Sequence, residues 1–153
     1  MLDALALILH LVAINVWVGG TFFAIVILGR AIRNVDSAQQ LHLWHLVFKR
    51  FFAWAWIAVF IILSSGTWMV YSVYGGFSRI PIYVMLMGII ALLMITVFIF
   101  IYFIPYRQYQ QLVTMNNVER CLQKLAIIRF AGIINMVLGL CIVVIIGSGP
   151  YLA

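Results

Sequence analysis

Apolar residues along this chain fall into four long runs, which are separated by two polar segments and one short turn. The runs cover about residues 4–28, 51–74, 80–104 and 125–146. Each run reaches the roughly 20 apolar residues that a helix needs to cross the hydrocarbon core of a bilayer. Each is continuously apolar and does not alternate, which favours helices over the strands of a membrane barrel. The pattern predicts an all-α membrane protein, with residues 1–153 forming a single domain, a four-transmembrane-helix bundle.

Local signals predict where these helices begin and end. Ser37 is a typical N-cap residue, so the second helix is expected to run from about Ala38 to Tyr74. At about 1.5 Å per residue that helix is roughly 54 Å long, so its first turns are expected to project beyond a hydrocarbon core of about 30 Å. Pro105 is expected to stop the third helix, because proline removes a backbone donor and clashes with the preceding turn.

Basic residues lie unequally on the two sides of this predicted bundle. The polar segments after the first and third runs, together with Arg129 at the start of the fourth run, carry eight of the nine, and only Arg79 lies in the short turn around Gly75 and Gly76. Because positively charged loops stay in the cytoplasm, the two long loops are predicted to be cytoplasmic and both termini periplasmic. The sequence thus predicts a multi-pass membrane protein, whose outer side in a bacterium is the periplasm. Its net charge of +6 reflects this topology and does not indicate nucleic-acid binding.

Acidic residues are too few for several kinds of chemistry. Only Asp3, Asp36 and Glu119 are acidic, and all three lie near the ends of the apolar runs. Without a carboxylate pair in the spans, carboxylate-based proton pumping and hydrolytic dyads are not expected. The chain also lacks a glycine-rich phosphate loop, which excludes ATP-driven transport by this chain alone. No catalytic residue is therefore assigned, and the pattern favours a non-enzymatic role over an enzymatic one.

His10 is the only histidine within an apolar run, about six residues and roughly 9 Å into the first span. Ionisable residues at that depth are costly in lipid and usually face a bundle interior or a cavity. His10 is therefore either a metal ligand, heme ligand or proton relay, or a structural histidine hydrogen-bonded to a neighbouring helix. His42 and His45, near the opposite face, either bind a metal ion or lie on an interfacial helix without a ligand.

Soft sulfur side chains are expected at the depth of His10, and such ligands select copper(I). In the predicted outer half of the bundle they are Met69, Met85, Met87 and Cys141. Copper bound by His10 and these sulfur atoms is therefore one predicted cofactor. The alternative is heme b with His10 as an axial ligand. In that case Arg129, which opens the fourth span, would hold a propionate group.

Small and polar residues predict how the helices pack. Asn135 and Gly139 fall on one face of the fourth span, and Gly19 and Gly20 lie in the first. Small residues let helix backbones approach closely, and an asparagine can hydrogen-bond across helices. We therefore expect the first and fourth spans to be in contact. Four short-looped helices also leave much apolar surface, which predicts a lipid bilayer environment and a homo-oligomer or a larger membrane complex.

Short motifs occur in a characteristic order along the chain. His10, Trp17, Gly19 and Gly20 form the pattern H-x6-W-V-G-G. Further motifs are Phe48–Phe52, Ser65-Gly66, Pro105–Arg107, Ile128-Arg129, Asn135, Leu138–Leu140 and Gly147–Gly149. Together they resemble the short members of the CopD-like (copper-resistance D) integral membrane family, over nearly the whole chain.

The resemblance implies a four-helix inner-membrane protein of copper handling, by uptake or delivery of copper through the membrane. His10 matches the first-helix histidine of the family, and Trp17, Gly19 and Gly20 are its structural neighbours. The family also has a histidine early in the third helix, where this chain has Tyr83, Val84 and Met85. A two-histidine site is therefore not expected, and Met85 or Met87 would have to substitute.

A second, looser resemblance is to the four-helix, heme-binding protoporphyrinogen oxidase family of bacteria. That family also has an early first-helix histidine and an arginine that opens a later span. Its third-helix lysine has no counterpart here, so we rank this enzyme role below copper handling. Three hypotheses stay open: copper handling, a heme b redox protein or accessory subunit of a respiratory oxidase, and a structural assembly subunit without a ligand.

Overall fold

Four long helices make up the computed structural model, which describes the backbone of residues 1–152 and the side chains of residues 1–149 and 151. They are α1 (Leu2–Ala31), α2 (Ser37–Ser72), α3 (Ile82–Thr114) and α4 (Val118–Leu152). A short 3₁₀ turn, Phe77–Arg79, connects α2 to α3. All four helices are long and apolar enough to cross a membrane, and the described residues contain no strand. The predicted all-α fold with four transmembrane helices is confirmed.

The helices run alternately up and down, with α1 packed mainly on α2 and α3 mainly on α4. We call the end with both chain termini and the α2–α3 turn the turn end, and the opposite end the basic end. At the turn end the Trp68 indole N–H donates to Asp3 Oδ1 over 3.0 Å. At the basic end the Tyr109 hydroxyl donates to the Leu41 carbonyl over 2.6 Å. These bonds tie α2 to α1 at one end and to α3 at the other.

Glycines on α4 allow it to lie close to α1. A Cβ at Gly132 would be 2.6 Å from Ile25 Cδ1, and a Cβ at Gly139 would be 2.7 Å from Val18 Cγ2. Real Cβ atoms essentially never come so close to another heavy atom, so these positions require glycine unless a neighbour moves. The expected contact between the first and fourth spans is therefore present, and it depends on glycines, which have no side chain to hold the helices apart.

Large aromatic side chains separate α2 from α3 in the half of the bundle nearest the basic end. Phe52 and Trp56 of α2 meet Phe98, Tyr102 and Tyr106 of α3, with ring centroids 4.4 to 6.0 Å apart. We call these five residues the aromatic wedge. Toward the turn end the backbones of α2 and α3 make few contacts, because each packs on a different partner. The wedge therefore leaves a space between α2 and α3 at the turn end.

Two helix boundaries differ from those expected. Asp36, and not Ser37, caps α2, since its Oδ2 accepts the Ala38 amide over 3.1 Å. Helix α3 does not end at Pro105 but passes it as a π-helical segment, Tyr102–Tyr106, and continues to Thr114. The wider π turn accommodates the proline ring, which would otherwise clash with the carbonyl four residues earlier.

Substituting Gly139 tests the close packing of α4 on α1. The methyl group added by Gly139→Ala would lie 2.7 Å from Val18 Cγ2, and a β-branched valine has little rotamer freedom to move away. We expect this overpacking to lower the free energy of unfolding by about 1–3 kcal/mol, measured by denaturant titration of reconstituted protein. Gly147→Ala is the matched control on the same helix, because a Cβ there meets nothing within 4 Å. Equal stability of the two variants would contradict the packing.

Candidate functional site

A cavity of about 400 Å³ lies between α2 and α3 at the turn end, and α1 and α4 form its inner wall. Its lining is almost wholly apolar, and the His10 imidazole is the one ionisable group in it. All four helices contribute lining residues, among them Ile14 and Trp17 of α1, Gly66 and Thr67 of α2, Met87 and Met94 of α3, and Gly139 and Ile142 of α4. The imidazole of His10 thus borders an apolar cavity inside the bundle.

His10 is 7% exposed and is held by a hydrogen bond to the next helix, with Nδ1 2.8 Å from Ser65 Oγ. The Ser65 hydroxyl in turn donates to the Ile61 carbonyl over 2.5 Å. Because a hydroxyl has only one proton to donate, Ser65 Oγ accepts from His10, and Nδ1 is the protonated nitrogen of the neutral imidazole. Nε2 therefore carries a lone pair, and no side-chain hydrogen bond to Nε2 is found among the described residues. The imidazole ring also lies within hydrogen-bonding reach of the Ile62 backbone carbonyl.

Gly66 provides the space for the imidazole ring against α2. A Cβ at this position would lie 3.3 Å from His10 Cε1 and 3.8 Å from Nδ1. With the Nδ1–Cε1 edge turned toward α2, Nε2 is the nitrogen left to meet a ligand in the cavity. The Ser65-Gly66 pair thus has two effects: the serine selects the tautomer, and the glycine lets the ring approach.

Three methionines line the same cavity as His10. Two of them, Met85 and Met87, were predicted as ligands, and the third, Met94, was not. Met94 follows Met87 by seven residues, or about two helical turns, so the spacing already placed both on one face of α3. One unpartnered imidazole nitrogen and three thioethers therefore border one space.

Met69 and Cys141 were also predicted ligands, and neither lines this cavity. Met69 is half-buried and lies beside the lining residue Val70. Cys141 is exposed, whereas Gly139 and Ile142 on the same helix line the cavity. Two residues along a helix correspond to a rotation of about 200°, which turns Cys141 away from the side of Gly139. The structure brings Met85 and Met87 together with the imidazole and leaves Met69 and Cys141 apart from it.

Arg129 lies at a second, smaller cavity of about 40 Å³. Its guanidinium is 5.8 Å from the ring centroid of Trp44, and Nη2 is 3.0 Å from the point where a Cβ of Gly29 would be. His10 does not line this cavity, and Arg129 does not line the larger one. The structure therefore does not bring together the axial histidine and the propionate-holding arginine of the heme interpretation.

The three residues Trp17, Gly19 and Gly20 of the α1 motif differ in what surrounds them. Trp17 is buried, lines both cavities and meets Phe98 edge to face with centroids 5.6 Å apart. A Cβ at Gly20 would be 3.1 Å from a ring atom of Phe51, whereas a Cβ at Gly19 would meet nothing within 4 Å. Trp17 thus separates the two cavities, Gly20 allows a close contact with α2, and Gly19 does not.

Polar residues outside the larger cavity form no evident metal site. Asn135 is buried at the smaller cavity, and its Oδ1 has no hydrogen-bond partner among the described residues. His42 is exposed, and His45 is half-buried with Nδ1 likewise unpartnered. Within residues 1–152 no group of three or more His, Cys, Asp or Glu side chains lies close enough to hold a metal ion. Any metal here would need thioether ligands.

Comparison with known proteins identifies the family. A family model described as CopD, copper resistance protein D, matches residues 45–148, which is more than half of the chain. The chain belongs to the CopD family. In this CopD protein the matched range contains Ser65, Gly66 and the three cavity methionines, and His10 lies before it. No curated protein and no solved structure matches the chain. Family membership supports a membrane protein of copper resistance in general.

Substituting Ser65 tests the assigned tautomer of His10. In protein labelled with ¹⁵N at histidine, we expect the His10 resonances of a neutral ring with the proton on Nδ1. Ser65→Ala removes the acceptor of that proton, so the Nδ1 and Nε2 shifts should move toward a mixture of tautomers. Ser64→Ala is the matched control, because the Ser64 hydroxyl donates to the Phe60 carbonyl and is exposed. An unchanged His10 spectrum in Ser65→Ala would contradict the assignment.

Proposed function

We propose that this CopD-family protein handles copper in the bacterial inner membrane, and that copper(I) binds in the larger cavity at the turn end. The observation that carries the proposal is that His10, whose Nδ1 is already bonded to Ser65, lines the same cavity as Met85, Met87 and Met94. Imidazole nitrogen and thioether sulfur are ligands that copper(I) accepts, and hard cations such as magnesium and calcium do not prefer them.

The charge of the cavity also favours a monovalent ion. No acidic side chain lines it, so a bound ion would keep its full charge in an apolar surrounding. The electrostatic cost of burying an ion rises with the square of its charge, so copper(I) is less costly to bury there than a divalent cation. A neutral imidazole and neutral thioethers can bind copper(I) without the loss of a proton, which suits a site that is closed off from bulk water.

The distribution of charge supports delivery at the turn end more than passage through the bundle. Arg129 places a cation at the smaller cavity, and none of the three acidic residues of the chain lines that cavity. A positive side chain on a narrow path opposes the passage of another cation. Copper bound beside His10 would therefore be passed on from the turn end, which is the periplasmic side if the basic loops are cytoplasmic, as their charge predicts.

The other hypotheses receive less support. A heme b site gains nothing from the structure, because His10 and Arg129 line different cavities. A structural subunit without a ligand accounts for the interhelical hydrogen bond of His10 Nδ1 to Ser65, but it does not account for the cavity that the same imidazole lines. Association into a homo-oligomer or a larger membrane complex remains part of the proposal, since many apolar side chains of all four helices are exposed.

Copper(I) binding to untagged, reconstituted protein tests this function. We expect one copper per chain in the wild type and none above background in His10→Ala. In Ser65→Ala the affinity should fall about 10- to 100-fold, as is usual when a side chain that orients a metal-bound histidine is lost. Ser64→Ala should bind like the wild type, because its hydroxyl does not contact His10. The affinity is measured by competition with a colorimetric copper(I) chelator.

Methionine and cysteine variants then test whether copper(I) binds to the sulfur atoms that line the cavity or to those outside it. Met87→Leu and Met94→Leu should weaken copper(I) binding, because both residues line the cavity. Met69→Leu and Cys141→Ser should not, since neither residue does. The opposite pattern would move the copper site elsewhere in the bundle. A Soret band in the wild type that disappears in His10→Ala would show that the ligand of His10 is heme b and not copper. Equal copper binding by the wild type and His10→Ala would refute the proposal.

A further inference from the structure

The larger cavity has an opening that copper handling does not require. Its inner wall is buried, with Trp17 at 4% and Met94 at 3% exposure. Its other side is formed by exposed residues of two different helices, Leu63 of α2 at 45% and Ile89 and Leu92 of α3 at 56% and 60%. These exposed residues belong to membrane-spanning helices, so the cavity opens sideways between α2 and α3 toward the hydrocarbon of the bilayer.

Bulky side chains lie at the two ends of the cavity. At the turn end Phe77 and Ile80 of the connecting turn line the cavity and lie between it and the aqueous side. Toward the basic end the edge-to-face pair of Trp17 and Phe98 forms a partition. A molecule that reaches His10 through the lateral opening therefore comes from the lipid phase, and it must be soluble there.

The chemistry of the lining indicates what kind of molecule fits. A volume of about 400 Å³ falls within the range of small-molecule pockets, which is about 300–1,000 Å³. Apolar cavities of this kind do not hold water well and instead bind apolar ligands, aromatic rings included. Methionine sulfur makes favourable contacts with aromatic rings, and Trp17 offers a ring face or edge. The lining therefore suits an aromatic ring.

The unprotonated nitrogen of His10 adds a further requirement. Because Nδ1 donates to Ser65, Nε2 of His10 can only accept a hydrogen bond. An unpartnered acceptor in an apolar space selects a ligand that supplies an O–H or N–H donor. A ring that carries a hydroxyl group meets this requirement, whereas a ring that carries only carbonyl or ether oxygens does not.

We propose that this cavity binds a lipid-soluble hydroxylated aromatic molecule of the hydroquinone class, which enters from the bilayer between α2 and α3. Its hydroxyl donates to His10 Nε2, its ring lies among Trp17 and the cavity methionines, and its alkyl chain extends past Leu63 and Ile89 into the lipid. The proposal does not depend on copper. It does use the same lone pair, so the hydroquinone and copper(I) would exclude one another, and lipid-phase hydroquinone would regulate copper loading.

Binding of 2-decylhydroquinone to copper-free protein in nanodiscs tests the proposal. We expect saturable binding, followed by isothermal titration and by the ¹⁵N shift of His10 Nε2. The dimethyl ether of the same compound keeps the ring and chain but has no donor, so it should bind about 3- to 10-fold more weakly, the usual effect of one hydrogen bond. In His10→Ala the two compounds should bind equally.

Glycine variants locate the binding in the cavity. Gly88 lines the cavity, and a Cβ there meets nothing within 4 Å, so Gly88→Leu should fill the space and abolish hydroquinone binding. Gly19→Leu is the matched control, because its Cβ also meets nothing within 4 Å and Gly19 is not in the lining. If Gly88→Leu does not fold, Ser65→Ala decides the question, since a free tautomer should remove the preference for the hydroquinone over its ether.

Two results would overturn the proposal. Equal affinity of the wild type for the hydroquinone and its dimethyl ether would mean that the cavity accepts any apolar molecule. An absence of saturable binding would mean that bilayer lipid fills the cavity. Neither result bears on copper, which is measured in separate samples without the aromatic compounds, so a failure of this proposal and a failure of copper binding can be told apart.

Discussion

The hydrogen bond between His10 and Ser65 is the interaction on which the site depends. In hydrocarbon a polar side chain must find its partner within the protein. Most hydroxyl and amide side chains of the spans do so within their own helix, by donating to the carbonyl four residues earlier, as Thr21, Ser64 and Thr96 do. The His10 Nδ1–H instead donates to a residue of the neighbouring helix. The bond therefore joins α1 to α2, fixes the tautomer, and leaves Nε2 with a lone pair that only a ligand can use.

The space in front of that nitrogen follows from unequal packing of the four helices. Helix α1 packs on α2 and α3 packs on α4, whereas α2 and α3 meet each other mainly through side chains. Near the basic end the aromatic wedge fills the gap between α2 and α3, with Phe52 and Tyr106 only 4.4 Å apart between ring centroids. Toward the turn end Gly66 and Gly88 offer no bulk, and a cavity remains. The aromatic wedge therefore holds α2 and α3 apart, and where no large side chain fills the gap, at the turn end, the cavity remains.

The sequence determined the depth of residues in the membrane but not the direction in which they point. Four apolar runs predicted the four helices, and helix rise placed His10, Met85 and Cys141 at a similar level. The direction depends on how each helix is rotated against its neighbours, and the very apolar spans show little amphipathic pattern from which to read it. Cys141 is consequently exposed, while Met94 lines the same cavity as His10. Pro105 was misread for a related reason, since tertiary packing holds α3 together through a π-helical turn that local propensity does not predict.

The family match and the chemistry of His10 are independent, and they meet in one cavity. The match to CopD covers residues 45–148 and so includes the serine, the glycine and the methionines of the lining, but not the histidine. His10 supplies a polar atom from α1, and Ser65 fixes which nitrogen it presents. A histidine outside the matched range thus lines a cavity whose other lining residues lie mostly inside that range, and the proposal of copper binding rests on this combination.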